Sequence, residues 1–220
     1  MPKTDKIIVA IDAISLDEFV EVFEKTKNTF LWYKIHSIFL LEHKKVIEVL
    51  RGNSKKVFLD LKFFDIPATV EKHIKVISKF CDMFTIHLLS GKECIKTASQ
   101  VSKDLGIIPV GVSILTSLCE EDLKLIGIEK SINDEVLKLV ELGLNEGIKH
   151  FVCSPLEVEL IKSKFPEVKL ITPGIRITKS HDDQKRTTSP KEALSKGADY
   201  LVIGRDITRL EKVEEIENYI

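Results

Sequence analysis

Eight short runs rich in β-branched and aromatic residues recur along this chain, and their spacing restricts the fold more than any other feature. The runs are Lys6–Asp12, Leu31–His36, Lys56–Lys62, Met83–His87, Ile107–Ser113, His150–Cys153, Val168–Thr172 and Tyr200–Gly204. The first five close at Asp12, His36, Leu61, His87 and Ser113, which lie 24, 25, 26 and 26 residues apart. Between the runs, apolar residues fall at helical spacing, as in Phe19, Val22 and Phe23 or Val136, Leu139, Val140 and Leu144. Strands alternating with helices imply parallel βαβ units. A βα unit of about 25 residues, eight times over, predicts an α/β, single-domain (β/α)8 TIM barrel spanning residues 1–220. The competing doubly wound sheet would normally open on a glycine-rich turn, and Asp12-Ala13-Ile14-Ser15 is not one. No sequence motif repeats with the period. One long irregular stretch, Thr172 to Pro190, interrupts the pattern.

Charge narrows the function classes. The chain of 220 residues carries 33 Lys+Arg against 34 Asp+Glu, a formal net charge of -1. That balance argues against a dedicated nucleic-acid binder or a polybasic membrane anchor. An anionic ligand would need a local site. No stretch approaches the apolar length of a membrane span, and the residues after Met1 are wrongly flanked for a signal peptide. Cys81, Cys94, Cys119 and Cys153 are scattered and form no CxxC pair, so free thiols are expected rather than a disulfide framework or a zinc site. The expectation is a soluble protein of a reducing, cytoplasmic compartment.

In a barrel the C-terminal strand ends carry the site. With side chains alternating along a strand, Ile8, Ala10 and Asp12 share a face, as do Trp32, Lys34 and His36, and Phe58, Asp60 and Lys62. His87 and Ser113 close the next two strands. Ordinary barrel core would place aliphatic residues there. Asp60 and Lys62 alone would pass as a solvated ion pair. Together with Asp12 and Lys34 they make an alternating array of carboxylates and ammoniums, which is costly to bury unless each charge is partnered. The loops after strands seven and eight, a common phosphate site in barrels, carry Arg176, Gln184 and Gly204-Arg205. Arginine supplies a fork of donors, and Gly204 allows backbone N–H groups to approach an anion. The stretch from Thr172 to Pro190 is placed to close over a ligand. Trp32 reads as core and His87 as a hydrogen-bonded neighbour of the site.

Asp60-Leu61-Lys62-Phe63-Phe64-Asp65-Ile66-Pro67 resembles the DxKxxDIP signature of the orotidine 5'-phosphate decarboxylase family, on a ribulose-phosphate-binding type of barrel. Further segments resemble the same family in the same order: Val9–Asp12, Tyr33–Ile35, Ser113–Ser117, Val152–Pro155, Thr172–Arg176 with Gln184 and Arg186, and Val202–Thr208. Departures from the family pattern fall at His36, Phe64, Ala68 and Asp206, and are expected to touch packing and loop shape rather than the charged residues.

The resemblance implies decarboxylation of orotidine 5'-monophosphate to UMP in de novo pyrimidine biosynthesis, with no metal and no organic cofactor. It implies catalytic roles for Lys62, Asp60, Lys34 and Asp65. Substrate contacts are implied for Asp12, Lys34, Asp65, Ile66, Thr69, Thr116 or Ser117, Pro173, Arg176, Gln184, Gly204 and Arg205. It further implies a homodimer in which Asp65 and Thr69 reach the neighbouring site. Two alternatives stand beside it: a metal-dependent sugar-phosphate decarboxylase or aldolase on the same barrel, and a non-catalytic nucleotide-phosphate sensor. The metal-dependent relatives carry a ligating acid on strand two, where this chain has Lys34.

Overall fold

The computed structural model describes residues 3–177 and 187–220. Eight parallel strands close into a barrel in chain order. They are β1 (Ile7–Ile11), β2 (Trp32–Ile35), β3 (Lys56–Phe63), β4 (Met83–His87), β5 (Ile108–Val112), β6 (His150–Val152), β7 (Lys169–Thr172) and β8 (Tyr200–Ile203). Closure is made by β1 against β8, with Ile7 opposite Leu201 and Val9 opposite Ile203. Every strand-like run of the sequence is a strand: β4 has the expected ends, β3 runs one residue further to Phe63, and the other six are shorter by one or two residues.

Parity along each strand divides the core in two. Ile7, Val9 and Ile11, with Tyr33, Ile35, Val57 and Leu59, point outward and pack under the helices. Ile8, Ala10, Trp32, Phe58, Met83, Val110, Ile171 and Val202 point inward and fill the barrel. Trp32 is core, as its strand position predicts.

The helices α1 (Leu16–Thr26), α2 (Ser37–Gly52), α3 (Pro67–Ile77) and α4 (Lys92–Leu105) follow the first four strands. Helix α1 opens on Ser15, whose hydroxyl accepts from the Glu18 N–H, and it buries Phe19 and Phe23. Helix α3 starts at Pro67, whose missing N–H costs nothing at the first turn. The β5–β6 connection is longer and holds two helices, α5 (Glu120–Leu125) and α6 (Ile132–Asn145). After β6, β7 and β8 come α7 (Val158–Lys164), α8 (Pro190–Ser195) and α9 (Arg205–Arg209). Among the described residues no helix is long and apolar enough to cross a membrane. All four cysteines are unpaired.

The pole opposite the strand C-termini is held by two ionic clasps. Asp82, just before β4, accepts from Arg51 at 2.6 Å, Lys56 at 2.8 Å and the Val57 N–H at 2.8 Å. Asp199, just before β8, accepts from Lys162 at 2.8 Å, Lys169 at 2.8 Å and the Leu170 N–H at 3.0 Å. Burial raises the affinity of Asp82 for a proton, yet its hydrogen bonds from Lys56, Val57 and Arg51 outweigh this and hold the carboxyl below its ordinary value. The stability it confers is therefore complete above the unfolded-state value of 3.8 and fades as pH falls through the lower folded value. Asp82→Asn should lower the midpoint of urea unfolding at pH 7 by the equivalent of about 1–3 kcal/mol. The difference from wild type should shrink below pH 4 or so; an equal gap at pH 3 would contradict the clasp.

Candidate active site

The inward faces of the first strands change character along their length. At the bottom they carry Ile8, Trp32 and Phe58; toward the C-terminal mouth they carry Asp12, Lys34, Asp60 and Lys62. These four charged side chains line one cavity of about 240 Å³, together with Thr116, Pro173, Gly174, Arg176, Gly204 and Arg205. Its apolar wall comes from Val112, Ile114, Val152 and Val202.

Simple alternation does not complete β3. Leu59 pairs with Phe84 and Phe63 with Ile86, so the strand advances four residues against two of its neighbour. The surplus is taken up at Lys62, whose φ of 45° lies in the left-handed region that side chains with a Cβ disfavour. The bulge sets the Lys62 ammonium 2.8 Å from Asp60 Oδ1, while Lys34 lies 3.2 Å from Asp60 Oδ2. Asp60 and Lys34 are shielded, with side chains 13% and 11% exposed, whereas Lys62 is 40% exposed and faces the cavity. Burial alone would raise the Asp60 pKa. Lys34 and Lys62 reverse that and hold it ionised.

Lys34 also approaches Asp12 Oδ1 at 3.6 Å, extending the chain of alternating charge to β1. Here one expectation fails. The sequence pattern predicts that the departure at His36 spares the charged residues, but its Nε2 lies 2.9 Å from Asp12 Oδ1 and its Nδ1 lies 2.7 Å from Ser37 Oγ. The residue after β2 falls beside the end of β1, because Ile11 and Ile35 are register partners. The His36 hydrogen bond is the largest influence on Asp12. With the charge on Lys34, it outweighs desolvation and brings the carboxyl from 3.8 to about 2.

Arg176 stands on the loop after β7, and Arg205 is the first residue of α9, next to Gly204 after β8. Gly174 has a φ of 77°, which glycine adopts without a Cβ penalty. The loop after β7 is drawn together by Arg176 N–H donating to Thr188 O at 2.9 Å and Thr188 N–H donating to Gly174 O at 3.2 Å. Asp206, another departure, is buried and accepts from the Ile177 N–H at 2.7 Å, tying this loop to the turn after β8. A Cβ on Gly204 would sit 3.4 Å from Ala10 O, so the backbone here already lies close against β1. Helix α9 is only five residues long, and its dipole adds little; any anion affinity rests on the arginines and the close backbone.

Not every candidate meets the cavity. Asp65 and Ile66 are exposed outside its lining, with Asp65 Oδ1 accepting from the Ile66 N–H at 2.7 Å. Thr69 is half-buried on α3, and Ser117 is exposed beyond Thr116. Gln184 and Arg186, and closure by the middle of their loop, lie outside the described residues. Ser113 does not serve the site: it has the outward parity of β5 and donates to Val152 O at 3.5 Å. His87 is half-buried against the Phe64 ring, and burial, then the charge on Lys62, lower its pKa. Sequence reasoning missed Thr85. It has the inward parity of Met83 and His87, and a hydroxyl in an otherwise apolar stretch, Met83 to Ile86, is the available signal.

A closed parallel barrel with a charged cavity at its C-terminal mouth defines a (β/α)8 protein whose site stands on its strand ends and loops. The chain belongs to the Orotidine 5'-phosphate decarboxylase / HUMPS family, whose model matches residues 5–219. It is 37% identical over 206 residues to an orotidine 5'-phosphate decarboxylase of Wolbachia pipientis subsp. Culex pipiens (strain wPip), covering 92% of this chain and 91% of that one. It is 38% identical over 217 residues to that of Prochlorococcus marinus (strain AS9601), covering 93% and 89%. The crystal structure of orotidine 5'-phosphate decarboxylase from Lactobacillus acidophilus aligns with a TM-score of 0.82 at 27% identity, covering 98% of each chain.

The carboxyl of Asp12 offers a direct check on this geometry. Its carbon resonance in an NMR titration should move with a midpoint of about 2, and in His36→Ala the midpoint should rise toward 3.8. An unmoved midpoint would remove His36 from the site.

Proposed function

We propose that this protein decarboxylates orotidine 5'-monophosphate to UMP and CO2, a step of de novo pyrimidine biosynthesis, without metal or organic cofactor. The observation that carries the reading is the Lys34–Asp60–Lys62 array at the cavity, with Asp60 bridged on both oxygens. Loss of CO2 leaves an electron pair in the ring plane at C6, with no conjugated sink. Lys62 places an ammonium where that charge develops and then donates a proton to C6, and solvent restores the proton. Asp60 keeps Lys62 charged and aimed. It also faces the substrate carboxylate: two like charges about 4 Å apart repel by roughly 4 kcal/mol at an effective dielectric near 20, and departure of CO2 relieves this.

Lys34 and Asp12 bind the ribose hydroxyls, and Thr116 meets the pyrimidine edge. Asp12, Lys34, Asp60 and Lys62 sum to no net charge, which leaves Arg176 and Arg205 to match a phosphate carrying about -1.5 to -2. Phosphate contacts remote from C6 supply binding energy for orientation. Lys34 occupies the space between two carboxylates with a cation of its own, which supports the cofactor-free reading over the metal-dependent one. Four unpaired cysteines support a reducing, cytoplasmic setting.

The second acid of the motif acts across a homodimer interface in this reading. Asp65 is exposed beside the exposed apolar side chains of Phe64 and Ile66, a pattern that suits burial against a second copy. Asp65 and Thr69 then complete the neighbouring site.

Orotidine monophosphate should lose its absorbance with purified protein in excess chelator. Activity abolished by chelation and restored by Mg2+ would sink the cofactor-free proposal. Lys62→Ala should lower kcat on the order of 10⁴-fold or more while UMP still binds, and near-normal turnover would refute its role. An equimolar mixture of Asp65→Ala and Lys62→Ala subunits should regain about a quarter of wild-type activity if random dimers form with one intact site each. No recovery would count against shared sites.

A further inference from the structure

Thr85 is a wholly buried polar side chain in direct contact with the proposed machinery, yet it does not line the cavity. Its Oγ1 accepts from the Lys62 N–H at 2.7 Å and lies 3.1 Å from Asp60 Oδ1. A hydroxyl has a single proton, and an ionised carboxylate can only accept, so that proton goes to Asp60. We propose that Thr85 is a positioning residue for decarboxylation, its hydroxyl fixing Lys62 and Asp60 relative to each other. The role rests on the decarboxylase reading given above.

Two features of the strand create the need. The bulge in β3 takes the Lys62 amide out of the regular ladder, and the left-handed conformation there is unfavourable for a residue with a Cβ. A buried N–H without an acceptor would be lost stabilisation at the very residue that must be held. Thr85 supplies that acceptor from the neighbouring strand. The same hydroxyl then gives its proton to Asp60 Oδ1, the oxygen that also receives the Lys62 ammonium. With Lys34 on Oδ2, the carboxylate is held from three directions and cannot rotate away from Lys62. One side chain thus fixes both the backbone and the head-group ends of Lys62.

Shape is not the requirement, because valine would fill the same space. Thr85→Val replaces the hydroxyl by a methyl group and leaves both the Lys62 N–H and one side of Asp60 without their partner. Thr85→Ser restores the hydroxyl and removes only a methyl group.

The test compares full-length wild type, Thr85→Val, Thr85→Ser and Thr85→Ala, with turnover of orotidine monophosphate measured in chelator and UMP binding by calorimetry. Misplacing a catalytic group by about 1 Å costs on the order of 10²-fold, so kcat of Thr85→Val should fall about 10- to 100-fold. Its KM and the Kd for UMP should stay within about threefold, since the cavity wall is intact, and Thr85→Ser should recover most of kcat. Where Thr85→Val does not fold, Thr85→Ala is held to the same criteria. Three results overturn the assignment: kcat of the hydroxyl-free variant within about twofold of wild type, a loss confined to KM, or a serine variant as slow as the valine one. A wild type without turnover would instead overturn the decarboxylase reading, and the role with it. A turning-over wild type with an unaffected Thr85→Val removes only the role of Thr85.

Discussion

Everything at the mouth of this barrel is organised around one buried carboxylate. Asp60 is taken out of water, which by itself would favour the neutral acid. It remains ionised because Lys34 and Lys62 stand on its two oxygens. The dependence runs in both directions. Without Asp60, Lys34 would be a shielded ammonium beside Asp12 alone, and Lys62 would have no fixed direction. Buried charge of this kind contributes little net stability compared with well-packed apolar residues. Its value lies in placement: a charged group that enters the cavity meets dipoles and ions that no longer need to reorganise.

That placement draws on both ends of the chain. The arginines follow β7 and β8, on a loop and at the first residue of α9, while the lysines come from β2 and β3. Only closure of β8 onto β1 brings these sets to one cavity, with Gly204 lying against Ala10. The backbone approach at Gly204 and the tie from Asp206 to the Ile177 N–H are therefore as much a part of the site as the guanidiniums.

Much of this was legible in the sequence because a barrel turns strand parity into position. Asp12, Lys34 and Asp60 share parity with Ile8, Trp32 and Phe58, so their convergence follows from counting by two. Counting fails where the backbone departs from the pleat. The bulge before Phe63 has no marker in Leu61-Lys62-Phe63, since the left-handed residue is a lysine rather than a glycine. The contacts of Thr85 depend on that bulge, and Ser113, a hydroxyl at a strand end, has the parity that turns it away from the cavity. His36 touches Asp12 through inter-strand register, which a single strand's pattern does not contain.

The clasps at Asp82 and Asp199 carry a different message. Counting four strands round the ring from one arrives at the other, and the parts correspond: an acid before β4 or β8, a lysine opening β3 or β7, and a base from a preceding helix. The chain's second half repeats the first in a device that no repeated motif announces. Each clasp joins residues only 25 to 37 positions apart. The β1–β8 seam, by contrast, joins opposite ends of the polypeptide. Short loops cost less entropy to close than long ones. Each clasp thus pins the register of the last pair of strands in its half of the barrel through contacts far more local than the seam that closes the ring.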